Sequence, residues 1–222
     1  MKFPKVLLAL LLMLPAICPA QDTDLPLPSS REMSVALFNE KDLAGWTFCS
    51  RGTNPPSDTW SVANGVIHCT GTPAGYLRTT QVYSNYFLTV IWRFVKVAPK
   101  ADNGGILVHI QPPDQVWPQC VQVQGKHTRQ GDLFVMAGVE CKEHKGKDAN
   151  TPVAFKDNSV ENPVGAWNKA EIICKNGKVV VFINGKFMNE ITECTVNSGH
   201  IGFQSEGAEF EIKTVAYCPL KY

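Results

Sequence analysis

EIICKNGKVVVFINGKFMNEI, residues 171–191, decides the fold class. Three short segments rich in β-branched and aromatic residues are separated by two dipeptides, Asn176-Gly177 and Asn184-Gly185. A two-residue hairpin link of type I′ needs positive φ at both central residues, which Asn and Gly tolerate at little cost. The stretch therefore predicts three consecutive strands in an antiparallel meander. The same punctuation continues outward. Asn64-Gly65 precedes VIHC, and TWSVA, YFLTVIWRFV, GGILVHIQ, CVQVQ, GDLFVMAG, GHIGFQSE and FEIKTVAYC are further strand candidates. No window of about 11 residues carries a convincing helical period, so helices should be few and short. Many short strands at this spacing predict an all-β domain of two packed sheets.

The chain begins differently. Lys2 and Lys5 are followed by a short apolar run over 6–14, Pro15, and the small-residue ending Cys18-Pro19-Ala20. That pattern reads as a cleaved secretory signal over residues 1–20. The apolar run is about half the roughly 20 residues that a membrane span requires. Residues 21–34 are polar and proline-bearing and read as an N-terminal lead, leaving 35–222 as a single domain in an exported, periplasmic or envelope protein. A formal charge of +1, with scattered Lys and Arg, offers no electrostatic footprint for nucleic acid. Nothing after residue 20 reads as a transmembrane segment, and the oligomeric state is left open. Seven cysteines follow the signal, none in a C-x-x-C pair, so a zinc cluster is disfavoured and disulfide connectivity stays open.

Chemistry has few candidates. In WPQCVQVQG, residues 117–125, Gln122 and Gln124 share one strand face with Cys120, while Val121 and Val123 share the other. The amides would then line a polar face and the valines fill the core. His109 in GILVHIQ falls by alternation on the face of Leu107. Arg78 in GYLRT, Trp117, and Gln204 with Glu206 in FQSEG are the other candidates. Each has a structural alternative: a hydrogen-bonding strand histidine, a surface ion pair, a core cap, a solvated turn glutamate. Asp132 reads as a turn residue. Glu140, Glu143 and His144 cluster at a polar insert over 142–162 that reads as a surface excursion, with metal binding disfavoured. No G-x-S-x-G elbow, H-E-x-x-H motif or strand-borne carboxylate pair is present.

LFNEKDLAGW, VIHCTGTPAGYLRT, YSNYFLTVIWRF, NGGILVHI, NPVGAWNKAEI, VVVFINGK and GHIGFQSEGAEFEIKTV occur in that order. Together they resemble the 3-keto-disaccharide hydrolase family. The resemblance implies a concanavalin A-like jelly-roll sandwich and a carbohydrate substrate. It also implies a hydrolase or lyase activity on 3-keto-glycosides through base-assisted elimination and hydration. Glu206 or His109 would be the base, and Arg78, Trp117, Gln122, Gln124 and Gln204 would hold the sugar. Related sequences place a glutamate where Gln122 stands, so a non-catalytic carbohydrate-binding module is the alternative. A divalent metal would suit the enolate oxygen of such a reaction, but the sequence implies none, and the cofactor is left open.

Overall fold

The computed structural model describes residues 34–98, 102–146, 148 and 150–220, so the signal segment 1–20 and lead residues 21–33 lie outside the described part. Two antiparallel sheets pack face to face as a jelly-roll sandwich. The first runs in the order β13 (Lys186–Ile191), β12 (Lys178–Ile183), β11 (Asn168–Lys175), β7 (Tyr86–Lys96), β15 (Glu209–Pro219), β4 (Val66–Cys69), β3 (Trp60–Ala63), with β1 (Val35–Ala36) also paired to β15. The second runs β10 (Leu133–Met136), β9 (Cys120–Gln124), β8 (Asn103–Ile110), β14 (Ser198–Glu206), β5 (Gly75–Thr79), β2 (Trp46–Ser50), with β6 (Tyr83–Ser84) paired to β14. Helix among the described residues amounts to two 3-10 turns, Pro56–Asp58 and Lys142–His144. No described helix is long and apolar enough to cross a membrane.

The Asn-Gly dipeptides do what their backbones allow. Asn64, Asn176 and Asn184 sit at φ of 53°, 49° and 51°, and the glycine after each sits at 74°. They close the hairpins β3–β4, β11–β12 and β12–β13. Between the sheets the core is built by alternation. In β7, Tyr86, Leu88, Val90, Trp92 and Phe94 point inward and are buried, while Phe87, Thr89, Ile91 and Arg93 are half-exposed. Each fully buried large apolar side chain stabilises the fold by roughly 1.5–3 kcal/mol.

Strand β9 shows the same rule with both faces covered. Val121 and Val123 join the inter-sheet core, opposite Val108 and Ile106 of β8. Gln122 and Gln124 therefore lie on the outer face of the second sheet.

Alternation fails in one place that matters. Leu107 of β8 pairs with Gly202 of β14, but Ile110 pairs with His200, so β8 carries an extra residue there. His109 absorbs it with φ of 58°. Ile110 returns to the face of Leu107, and the His109 ring turns inward, edge-on to Tyr86 with centroids 5.7 Å apart. Gly199 permits the close approach, since a Cβ there would stand 2.4 Å from the His109 carbonyl carbon.

The insert 142–162 is mostly exposed, in line with its reading as a surface excursion, but it is anchored to the body of the sandwich. Val153 is buried, Ala154 bridges Leu133, and the Lys156 ammonium donates to the Phe187 carbonyl. Asp132, read as a turn residue, is buried and accepts hydrogen bonds from Arg129 Nε and the Lys156 N–H.

The two faces of β9 lead to one prediction. Val123→Asp places an unpaired carboxylate in the inter-sheet core and should lower stability by more than about 3 kcal/mol, or prevent folding. Urea unfolding checks it; a loss below about 1 kcal/mol would mean that position 123 does not face the core.

Candidate functional site

Three glutamines meet on the outer face of the second sheet. Gln124 of β9, Gly105 of β8, Gln204 of β14 and Tyr76 of β5 stand in one cross-strand row. Gln122 and Leu107 belong to the next row. Gln122 Nε2 donates to Gln204 Oε1 at 2.9 Å and to Gln124 Oε1 at 3.2 Å. Gln124 Oε1 also accepts the backbone N–H groups of Gly125 at 2.9 Å and Lys126 at 3.1 Å. Space for this convergence comes from Gly105, where a Cβ would lie 3.1 Å from Gln122 Nε2 and 3.2 Å from Gln204 Oε1. Burial of the three amides is supported by these bonds, since a buried amide without partners costs roughly 1–3 kcal/mol.

Above the amides opens a cleft of about 680 Å³, lined by Asn103, Trp117, Lys126, Phe134, Met136, Ala137, Asn150 and Glu206 beside the three glutamines. That volume lies in the roughly 300–1,000 Å³ range of small-molecule sites. Glu206 ends β14, pairs across to Asn103 and accepts a hydrogen bond from Asn103 Nδ2. Burial raises its carboxyl above the usual glutamate range, and the nearby Lys126 ammonium partly opposes that rise. It is the one carboxylate among the lining residues. The combination is a single base of raised basicity, a cation, several amide donors and an aromatic wall.

Of the residues read from sequence, Glu206, Trp117, Gln122, Gln124 and Gln204 line this cleft. Arg78 and His109 do not. Arg78 shares the face but is committed elsewhere: Nε and Nη2 grip Asp114 Oδ1 and Oδ2, each at 2.7 Å. Tyr76 Oη donates to the same Asp114 Oδ1 at 2.8 Å. The guanidinium holds the Asp114 carboxyl below its ordinary range. Asp114 belongs to the loop 111–119, closed at its base by Gln111 N–H donating to the Gln119 carbonyl. Pinned this way, the loop is tied to Tyr76, a member of a second buried cluster with Leu107, Ile110 and Cys120, and supplies Trp117 to the cleft. Arg78 is thus a clasp for the wall of the site. His109 is buried in the core, where burial pulls its pKa down to about 4, so it is neutral and remote from the cleft.

Sequence reasoning missed Asn103, Lys126, Phe134, Met136 and Asn150. Phe134 could have been found, because its register opposite Gln122 puts it on the amide face. Asn150 lies in the insert set aside as surface. Among the described residues no group of three or more His, Cys, Asp or Glu side chains is arranged to hold a metal ion. Glu140 pairs with His144, while Glu143 turns away to accept both the N–H and the hydroxyl of Thr192.

Fold and cleft together define a lectin-like jelly-roll with a polar site on one sheet. The chain belongs to the family of 3-keto-alpha-glucoside-1,2-lyase-like domains, whose model matches residues 33–216. Among solved structures it is similar to a candidate glycosyl hydrolase from Parabacteroides distasonis, at 23% identity and TM-score 0.63 over 86% of this chain and 95% of that one. A carbohydrate-binding module, CBM66 of Bacillus subtilis, matches with TM-score 0.59 at 11% identity, over 78% of this chain and 95% of that one. The lumenal domain of VIP36, with bound Ca2+ and Man3GlcNAc, matches with TM-score 0.59 at 12% identity, over 87% and 90%. At these identities the structural matches show the shared fold. No curated protein matches the sequence significantly.

The amide network generates a second prediction. In Gln122→Glu a carboxylate would face two carbonyl oxygens. Gln204 can flip to donate, but Gln124 cannot without leaving two backbone N–H groups unpaired. The new carboxyl should therefore have a folded-state pKa above the unfolded value of about 4.3. An acid raised in this way loses stability as pH climbs from the unfolded towards the folded pKa. The Tm difference from wild type should widen between about pH 4 and 7. A difference independent of pH would contradict the network.

Proposed function

We propose that this chain cleaves 3-keto-glycosides, 3-keto-disaccharides among them, by elimination followed by hydration. The observation that carries the reading is the lone carboxylate of Glu206, placed beside Lys126, Asn103 and three amides in a cleft of sugar size. Ordinary glycoside hydrolysis uses two carboxylates roughly 5 to 10 Å apart, and this cleft supplies one. A ketone at C3 changes the demand, because it acidifies the hydrogen on C2. Glu206 takes that proton, the electron pair forms the enolate, and its collapse expels the glycosidic oxygen from C1. Water then adds its hydroxyl at C1 as Glu206 returns the proton to C2, and the remaining proton of that water goes to the departed alkoxide. Negative charge on O3 is met by the Lys126 ammonium or by the amide N–H groups of Gln124 and Gln204, an arrangement of the oxyanion-hole kind. Trp117 offers a flat apolar face to a sugar ring. Burial raises the Glu206 carboxyl above the ordinary glutamate range, which strengthens it as a base.

A specific observation favours a second reading. A floor of three amides beside Trp117 also describes a site that binds sugar without cleaving it, and the family resemblance read from the sequence implies a glutamate where Gln122 stands. Glu206→Gln separates the two. Under the catalytic reading it should lower kcat on a 3-keto-glycoside at least ~100-fold while leaving ligand binding within a few-fold. The acid limb of kcat/KM in the parent protein should fall above the usual glutamate range and vanish in the variant. Tight binding of the unoxidised sugar with no product from the 3-keto-glycoside would instead establish the binding module.

The proposal includes export, supported by the tripartite start of the sequence ending at Ala20. Mass spectrometry of extracytoplasmic protein should find Gln21, or its cyclised form, at the N-terminus; an intact Met1 on that protein would refute cleavage.

A further inference from the structure

We infer that Cys141 and Cys194 form a disulfide that staples one wall of the cleft to the body of the sandwich. The inference rests on backbone register and stands independently of the proposed activity. All seven described cysteines are thiols in the structure. Around two of them the chain runs as a short, irregular antiparallel pair: the Thr195 N–H donates to the Glu140 carbonyl at 2.9 Å, and the Lys142 N–H donates to the Thr192 carbonyl at 3.0 Å. The N–H of Cys194 itself points the other way, to the Gly177 carbonyl at 2.9 Å. Cross-strand bonds that flank two residues, with their own groups turned outward, mark a non-hydrogen-bonded pair. Such pairs hold their Cα atoms about 4.5 Å apart, and an extra residue in one strand widens that modestly. Here Glu193, with φ of 56°, is the extra residue. Disulfides span Cα separations of about 4.4–6.8 Å. Cys141 and Cys194 are both buried in the inter-sheet core, and the Cys141 thiol lies within electrostatic reach of Cys194, so the two side chains are neighbours.

Cys174 is the rival partner, since Cys194 also lies within its electrostatic reach. Its register positions are taken by Tyr86 on β7 and Val179 on β12, and neither neighbour strand brings Cys194 opposite it. Burial raises the Cys194 thiol to about 12 and also raises Cys141. Two such thiols hold little thiolate once folded, so the bond is made as the segments close and is shielded afterwards. In the step, the Cys141 and Cys194 thiols give up two protons and two electrons to form one S–S bond. The electrons reduce a second disulfide, that of oxidised glutathione or of a protein exchange partner, to two thiols. The wall gains rigidity where it supplies Ala137 and Asn150 to the cleft.

The test is made on the full chain, equilibrated with oxidised and reduced glutathione, alkylated and digested with trypsin. Residues 130–142 should appear linked to 187–213, and dithiothreitol should release them. Closing a loop of about 50 residues predicts a Tm fall of roughly 5–15 °C on reduction. The double variant Cys141→Ala with Cys194→Ala should melt near the reduced protein and ignore dithiothreitol. Alkylation of both cysteines after oxidative equilibration, or linkage through residues 170–175 instead, would overturn the proposal. The peptide mapping decides even if the double variant does not fold.

Discussion

Two backbone N–H groups, those of Gly125 and Lys126, determine the character of the cleft floor. By donating to Gln124 Oε1 they prevent that amide from turning over. Only a donor can then face that oxygen, which sets Gln122 Nε2 toward it, and the same Nε2 reaches Gln204 Oε1. The orientations follow from the network as a whole, which is how amide ends are assigned. What is left for a ligand is the opposite set: the Nε2 groups of Gln124 and Gln204, and the Oε1 of Gln122. The floor therefore offers more donors than acceptors. Hydroxyl or carbonyl oxygens match that surplus, and a ligand crowded with donors does not. The backbone just after β9, at Gly125 and Lys126, thus sets the polarity of Gln124, of Gln122 two positions before it, and of Gln204 on β14.

Much of this was legible in the sequence because it rests on local rules. The Asn-Gly turns, the inward stripe of β7 and the two faces of CVQVQ each follow from a period of two or from positive φ, and neither needs a distant partner. The site residues Gln122, Gln124, Gln204, Glu206 and Trp117 came from the same reasoning aided by family resemblance. His109 did not obey it, because one extra residue in β8 reverses parity, and that bulge shows only in the register with β14 and in the positive φ of His109, neither of which local periodicity reveals. Arg78 was misplaced for a different reason. Its partner Asp114 lies 36 positions away in a loop with no periodicity, so nothing local says the guanidinium is already occupied. The strands WTFCS and GYLRT, β2 and β5, escaped notice as short segments lying between glycines and polar residues.

Electrostatics in the cleft is sparse, and that sets the terms for chemistry. Glu206 faces amides and one ammonium, with no second acid among the described lining residues. A carboxylate in that setting has its basicity raised by desolvation alone, and Lys126 limits how far. Chemistry in which the same group removes a proton and returns it is compatible with a single carboxylate beside one ammonium.

The clasp between Arg78 and Asp114 has a further consequence for shape. It ties the loop 111–119, and with it Trp117, to Arg78 and Tyr76 of β5. The amide floor is fixed separately, by the bonds among Gln122, Gln124 and Gln204. One side of the cleft is therefore held by an ion pair that touches none of the residues of its floor.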